Sequence, residues 1–354
     1  MSGEQDELAS LLGRPQLARV PSWLYETTVC GITRAGMMWT LNAVCAAFHL
    51  ILAVISVAVA AQGGLDSPLL TVYGTELDWV EGETNALKPK YLAYTGGYNL
   101  GVMTMSFFLL SFLAHALVCV GNYRQAFDGA KTSRQEFKDQ FFNGGWYWRW
   151  MHECRQPLRW VEYSFSASVM IITISVASGV SHVYMVQSIF SLMWCTMAFG
   201  YYTEVTSPPS RRGLDPTEPA RVWAVRAPEG SSTLTLWRFK LWRLAPHLLG
   251  YVPYSTVWAI LGHSFFSNTS NGGPPSFVYA IVLSQFGLFT GFGVTQFLNQ
   301  IREDGPSWYY RGEISYLVLS LLSKGVLGFL LIGNVLVYSS FDRAVSEART
   351  AEAR

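Results

Sequence analysis

Long apolar runs dominate the chain, separated by shorter polar and charged stretches. A helix that crosses about 30 Å of hydrocarbon needs about 20 mostly apolar residues. Seven stretches reach that length, with expected bounds of about 37–61, 99–121, 157–178, 182–202, 244–265, 277–299 and 314–340. The third and fourth arrive as one apolar block from Pro157 to Tyr202, too long for a single crossing. The interruption at Ser178-Gly179-Val180-Ser181 therefore reads as the turn of a tight helical hairpin. Pro246 and Pro253 weaken the fifth stretch, but Pro is tolerated in a membrane helix whose neighbours satisfy the freed carbonyls. The pattern predicts an all-α membrane protein: a seven-helix bundle over 37–340, an N-terminal segment over 1–36 and a C-terminal tail over 341–354.

Between the first two spans, the segment from Asp66 to Tyr98 is too long for a plain turn. Leu69–Tyr73 and Tyr91–Tyr94 are rich in β-branched and aromatic residues and are separated by a Gly/Asp/Glu stretch. They read as a small β-hairpin lying on the membrane surface. Trp146, Tyr147, Trp148 and Trp150 read as an interfacial aromatic anchor. No internal repeat and no second domain boundary stand out.

Composition sharpens the picture in one respect. Only 14% of the residues are charged, against about 25% in soluble domains. The net charge of +1 and the absence of a basic block give no footing for nucleic acid. Met1–Leu8 is polar and acidic, with no basic region ahead of an apolar core, so insertion is expected to be directed by the first span.

The distribution of basic residues predicts the orientation. With the segments assigned alternately to the two sides, 19 of the 25 Lys and Arg residues fall on the side of the N-terminus. The opposite side holds Lys88, Lys90, Arg343, Arg349 and Arg354, and Lys324 lies within the seventh span. The positive-inside rule then places the N-terminus in the cytoplasm and the C-terminus outside. Asn268-Thr269-Ser270, a glycosylation acceptor pattern, falls on the outer side. Cys30, Cys45, Cys119, Cys154 and Cys195 all fall in spans or on the cytoplasmic side, so no outward-facing disulfide is expected.

Two charges stand out within the spans. Lys324 lies about eleven residues into the seventh, in YLVLSLLSKGVLGFLLIGN. An amine near mid-membrane costs about 2.5–3.5 kcal/mol on insertion scales, and the head group is too deep to snorkel out. Glu162, in RWVEYSFSASVM, is the one carboxylate placed well inside a span. Asp66 and Glu204 fall at helix ends, where water and headgroups are expected to solvate them. One buried cation and one buried anion in a single bundle are expected to pair, since together they avoid two separate desolvation costs. A desolvated amine also condenses readily with an aldehyde, and the resulting iminium still needs an anion. The charge pattern fits a structural ion pair and a covalent chromophore equally well. No metal cluster, phosphate loop or nucleophile constellation stands out, so no enzymatic activity is expected.

Arg159-Trp160-Val161-Glu162-Tyr163-Ser164, with Ser320-Leu321-Leu322-Ser323-Lys324, resembles the heliorhodopsin family of microbial rhodopsins. The expected inverted orientation, the hairpin and the seven spans agree, so the resemblance covers nearly the whole chain. The family usually has Ala before the lysine, where this chain has Ser323. The resemblance implies all-trans retinal bound to Lys324 as a Schiff base, with Glu162 as counterion. It implies Ser320 beside that pair, and His49, Ser111 and His115 around a cytoplasmic-side cavity that takes up the proton. Tyr163, Phe286 and Phe289 are candidates to pack on the polyene; the two phenylalanines are three apart on one helix. A homodimer, with the hairpin reaching toward the neighbour, is also implied.

Ordinary light-driven proton pumps carry a carboxylate one turn before the lysine and another three turns past the counterion. Here those positions are Ser320 and Thr173. Without a donor carboxylate, outward pumping is disfavoured. The leading expectation is a slow light sensor, with the loops 122–156 and 205–243 as surfaces for an unknown cytoplasmic signalling partner. The alternative is a light-gated ion conductance, most plausibly for protons.

Overall fold

The computed structural model describes residues 33–61, 66–73, 91–127, 146–152, 154–180, 182–206, 230, 232–269, 276–301 and 306–352. Cys30, Ser270, residues 1–32 and the middle portions of the loops 122–156 and 205–243 lie outside these residues. The elements run α1 (Arg34–Ala60), β1 (Asp66–Tyr73), β2 (Tyr91–Asn99), α2 (Leu100–Phe127), α3 (Trp146–His152), α4 (Pro157–Ala177), α5 (Val183–Thr206), α6 (Thr233–Thr269), α7 (Ser276–Ile301) and α8 (Pro306–Glu352). β1 and β2 pair antiparallel, Asp66 opposite Asn99 and Tyr73 opposite Tyr91, with a register shift between Leu69 and Leu70.

Six of these helices are long and apolar enough to cross a membrane: α1, α2, α4, α5, α7 and the first part of α8. α6 is longer than most of them. Its middle is diluted by Tyr251, Pro253, Tyr254, Ser255 and Thr256, and it does not meet the same measure of apolarity. Both prolines stay inside a continuous helix. α8 begins eight residues before the expected start of the last span and runs on to Glu352.

The turn between α4 and α5 shows how local sequence ends a helix. Pro157 opens α4 at a position where its missing N–H costs nothing. At the other end Gly179 takes φ +95°, which a residue with a side chain rarely adopts. That turn lets the Gly179 N–H donate to Val176 O at 3.0 Å and the Val180 N–H donate to Ser175 O at 2.9 Å. The last carbonyls of α4 are thereby satisfied, and the chain reverses into α5.

The bundle is arranged for an apolar surround. Val44, Ile51, Val54, Leu113, Val161, Val252 and Leu283 point outward, while hydroxyls and amides collect inside. Buried hydroxyls return to the carbonyl four residues earlier, as Ser168 does to Ser164 O at 2.7 Å and Ser175 to Ile171 O at 2.7 Å. This satisfies them where no bulk water reaches. α4 lies at the centre and is buried along most of its length. Close approach depends on glycine at two crossings. A side chain on Gly200 would run into the Trp160 ring of α4, and one on Gly328 into the Phe108 ring of α2.

α3 corrects one expectation. Tyr147 and Trp148 are buried, 3% and 1% exposed, in a core cluster with Met151, Cys154, Tyr309 and Leu317. They do not form an interfacial belt. A helix of seven residues with aromatics at successive positions surrounds itself with rings, and here one face packs onto the ends of α2 and α8.

Candidate functional site

Lys324 of α8 and Glu162 of α4 meet at the centre of the bundle, Nζ donating to Oε1 at 3.0 Å. Lys324 is 2% exposed and Glu162 7%. Ser320 lies one turn before Lys324, and its Oγ accepts a second Nζ hydrogen at 2.9 Å. From α2, Ser111 Oγ lies 2.6 Å from Glu162 Oε1 and 3.0 Å from Phe107 O. Its single proton goes to the nearer, charged acceptor, since charge-assisted bonds are the stronger. Two elements, α2 and α8, thus donate to one carboxylate oxygen of α4. The ring of Tyr163 lies 5.0 Å from Nζ, adding its π-face to the stabilisation of the cation.

On the α1–α2 side of this centre, the rings of His49 and His115 are stacked 5.4 Å apart. His115 Nδ1 is 2.8 Å from Asn42 Oδ1. Neither ring nitrogen of His49 has a hydrogen-bond partner among the described residues, although the residue is fully buried. The predicted cluster of Lys324, Glu162, Ser320, Ser111, His49 and His115 is therefore contiguous in space.

On the other side, Lys324 opens onto a largely apolar space of about 790 Å³, open solvent included, between α4, α5, α6, α7 and α8. Tyr163 and Met170 line it from α4, Met197 from α5, Tyr251 and Tyr254 from α6, and Phe289 and Phe292 from α7. Phe289 lines this space. Phe286 does not: it is 49% exposed, outside the lining, with its ring edge-on to Trp258 at 5.1 Å. Three residues turn an α-helix through about 300°, and the remaining 60° rotates Phe286 out of the cavity while Phe289 stays in it.

A second charged centre went unrecognised in the sequence. Arg159, one turn before Glu162, pairs with both Glu204 of α5 and Glu313 of α8. Glu204, expected to be solvated at a helix end, is fully buried. It accepts hydrogen bonds from the Gln156 N–H at 3.0 Å, Trp160 Nε1 at 2.8 Å and Tyr309 OH at 3.1 Å. Arg159 also lies over the Tyr316 ring at 3.9 Å, and Tyr316 OH donates to Gln296 Oε1 at 2.6 Å. The available signal was that Arg159, Glu204 and Glu313 of opposite charge all fall at span ends on the same side of the bundle.

A family model described as heliorhodopsin matches residues 140–217 and 238–336, together half of the chain. The chain belongs to the heliorhodopsin family. Membership implies a retinal chromophore, and the apolar space beside Lys324 fits a long, conjugated, largely apolar molecule. Among solved structures, the chain resembles the crystal structure of thermophilic rhodopsin, with a TM-score of 0.55 and 11% identity over 90% of this chain and 99% of that one. At that identity the likeness concerns the fold. A light-driven proton pump, LR (Mac) from Leptosphaeria maculans, aligns with a TM-score of 0.45 and 14% identity over 86% of this chain and 95% of that one. Among curated proteins, none matches. This heliorhodopsin-family chain is a membrane protein with several apolar helices and the rhodopsin fold.

Proposed function

We propose that the chain is a light sensor that carries all-trans retinal on Lys324, with Glu162 as counterion, in a bundle of seven spans. The observation that carries the reading is the buried amine: Nζ is 3.0 Å from a carboxylate on one side and opens on the other onto a space of about 790 Å³ walled by aromatic rings. A structural ion pair alone has no need of that space. Bound there as a protonated Schiff base, retinal supplies visible absorption and light-driven isomerisation.

The chain's own groups do the rest. Glu162 Oε1 balances the charge at Nζ and takes the one hydrogen that an iminium nitrogen keeps, Ser111 donates to the carboxylate, and the Ser320 hydroxyl stands beside the nitrogen. A proton leaving Nζ finds Glu162 first, with His115 and His49 behind it. The positions that bear carboxylates in pumps bear hydroxyls here: Ser320 stands beside the nitrogen, and Thr173 returns its hydroxyl to Val169 O at 2.9 Å. This favours signalling without transport and a non-enzymatic role. In this reading α6 is the remaining span, the N-terminus is cytoplasmic, the C-terminus extracellular, and two copies form a homodimer.

The test is spectroscopic. The purified chain with all-trans retinal is expected to gain a visible absorption band, and Lys324→Ala to lack it; a band that survives the substitution would place the retinal elsewhere. One observation favours a second reading, light-gated proton conductance. Glu162, Arg159 and Glu313 line a common polar space of about 410 Å³, which leads from the photochemical centre toward one end of the bundle. A light-evoked current under voltage clamp that reverses with the proton gradient would select that reading.

A further inference from the structure

One guanidinium cannot balance two carboxylates. With Arg159, Glu204 and Glu313 all ionised, the cluster carries one excess negative charge. The three side chains are 6%, 0% and 5% exposed, so solvent offers little compensation. A bound proton removes the excess, and the two carboxylates compete for it unequally. Glu204 accepts from a backbone N–H, an indole N–H and a phenol in addition to Arg159. That donor set suits an anion. Glu313 shares the guanidinium, has the Tyr147 phenol beside it, and faces the space of about 410 Å³.

That space joins Glu313 to the photochemical centre. Besides Glu313, the titratable and charged groups around it are His115 of α2, Tyr147 of α3, Arg159, Glu162 and Tyr163 of α4, and Tyr316 of α8. Glu204 of α5 and Tyr309 of α8 approach through Arg159. With His115, Arg159, Glu162 and Glu313 converging on it, the space has room for a bridging water.

We propose that Glu313 holds an exchangeable proton and that, across the space it shares with Glu162, its hold on that proton is coupled electrostatically to the charge state of the Lys324–Glu162 pair. The light-driven half rests on the photoreceptor reading; the dark half does not. When Nζ gives its proton to Glu162, a neutral acid forms there. Glu162 lines the shared space and Lys324 does not, so neutralising the pair removes more negative than positive potential at Glu313. The O–H bond of Glu313 then breaks, its proton passes to water at that end, and its carboxylate remains on Arg159.

Infrared titration of the full chain without retinal tests the dark half. A carboxylic-acid C=O band is expected that disappears as pH rises. It should be absent in Glu313→Gln and return, shifted, in Glu313→Asp. Glu204→Gln should abolish it too, because Arg159 is then left to balance Glu313 alone. A band that persists in Glu313→Gln, or no band in the unsubstituted chain, overturns the proposal. For the light-driven half, a pH-indicator dye with the retinal-loaded chain should report a transient acidification that Glu313→Gln removes while the visible band stays. Release that is unchanged in this variant overturns the coupling. Failure to form any visible band would instead sink the photoreceptor reading and leave the dark titration standing.

Discussion

Glu162 Oε1 accepts hydrogens from Ser111 at 2.6 Å and Lys324 at 3.0 Å, and this single oxygen sets the electrostatics of the site. In a low-dielectric interior a carboxylate this close stabilises a positive charge localised at Nζ strongly. It stabilises the same charge less once excitation spreads it along a polyene. Glu162→Gln removes the anion and keeps the shape, so it raises the ground state more than the excited state. The visible band of the retinal-loaded variant is therefore expected to move to the red. A blue shift, with the pigment formed and still protonated, would mean that another group is the counterion. At this scale the sequence was informative where a charge was out of place: Lys324 and Glu162 stand out because each is costly to leave alone in hydrocarbon. Phe286 and Phe289 were not separable, because a spacing of three puts two rings on neighbouring faces, and only the packing of α7 on α6 and α8 decides which one lines the cavity.

Elements are held together here by close crossings and by one ion cluster. Gly200 lets α5 approach α4 until the Trp160 ring occupies the place of the missing side chain, and Trp160 in turn donates to Glu204 at 2.8 Å. Gly200→Ala must push that ring away, and overpacking of this kind costs about 1–3 kcal/mol. A lower thermal midpoint in circular dichroism or in loss of the visible band is the expected outcome; an unchanged midpoint would mean that the crossing is loose. The helices themselves were legible from apolar run length, and the stop at Ser178–Gly179 from a glycine in an otherwise unbroken apolar block. The Arg159 cluster was not. Its members are separated by 45 and 154 residues, and each alone at a span end looks like an ordinary solvated charge. The same holds for Tyr147 and Trp148, whose aromatic composition suits a membrane interface as well as a core.

For the whole molecule, the bias of 19 basic residues to five across the two sides argues for a cytoplasmic N-terminus, because translocating a cationic loop against the membrane potential is unfavourable. A tag at the C-terminus is expected to react with a membrane-impermeant reagent in intact cells, and a tag at the N-terminus only after permeabilisation. The opposite pattern would invert the topology and place the Arg159 cluster on the other side. With the expected orientation, the Arg159 cluster and Glu313 lie toward the cytoplasm, the side on which a signalling partner would sense a change.

The sequence by itself determined that this chain enters a membrane, where most of its helices run, and that one lysine and one glutamate deep within them require each other. These are matters of transfer free energy, which depends on residue type and run length and needs no knowledge of neighbours. Tertiary structure decided the rest: which aromatic rings wall the space beside Lys324, that a single carboxylate oxygen receives both Ser111 and Lys324, and that Arg159, Glu204 and Glu313 form a buried cluster. Those outcomes depend on how helices rotate and cross, and rotation is fixed only when glycines, rings and charges from distant parts of the chain are pressed together.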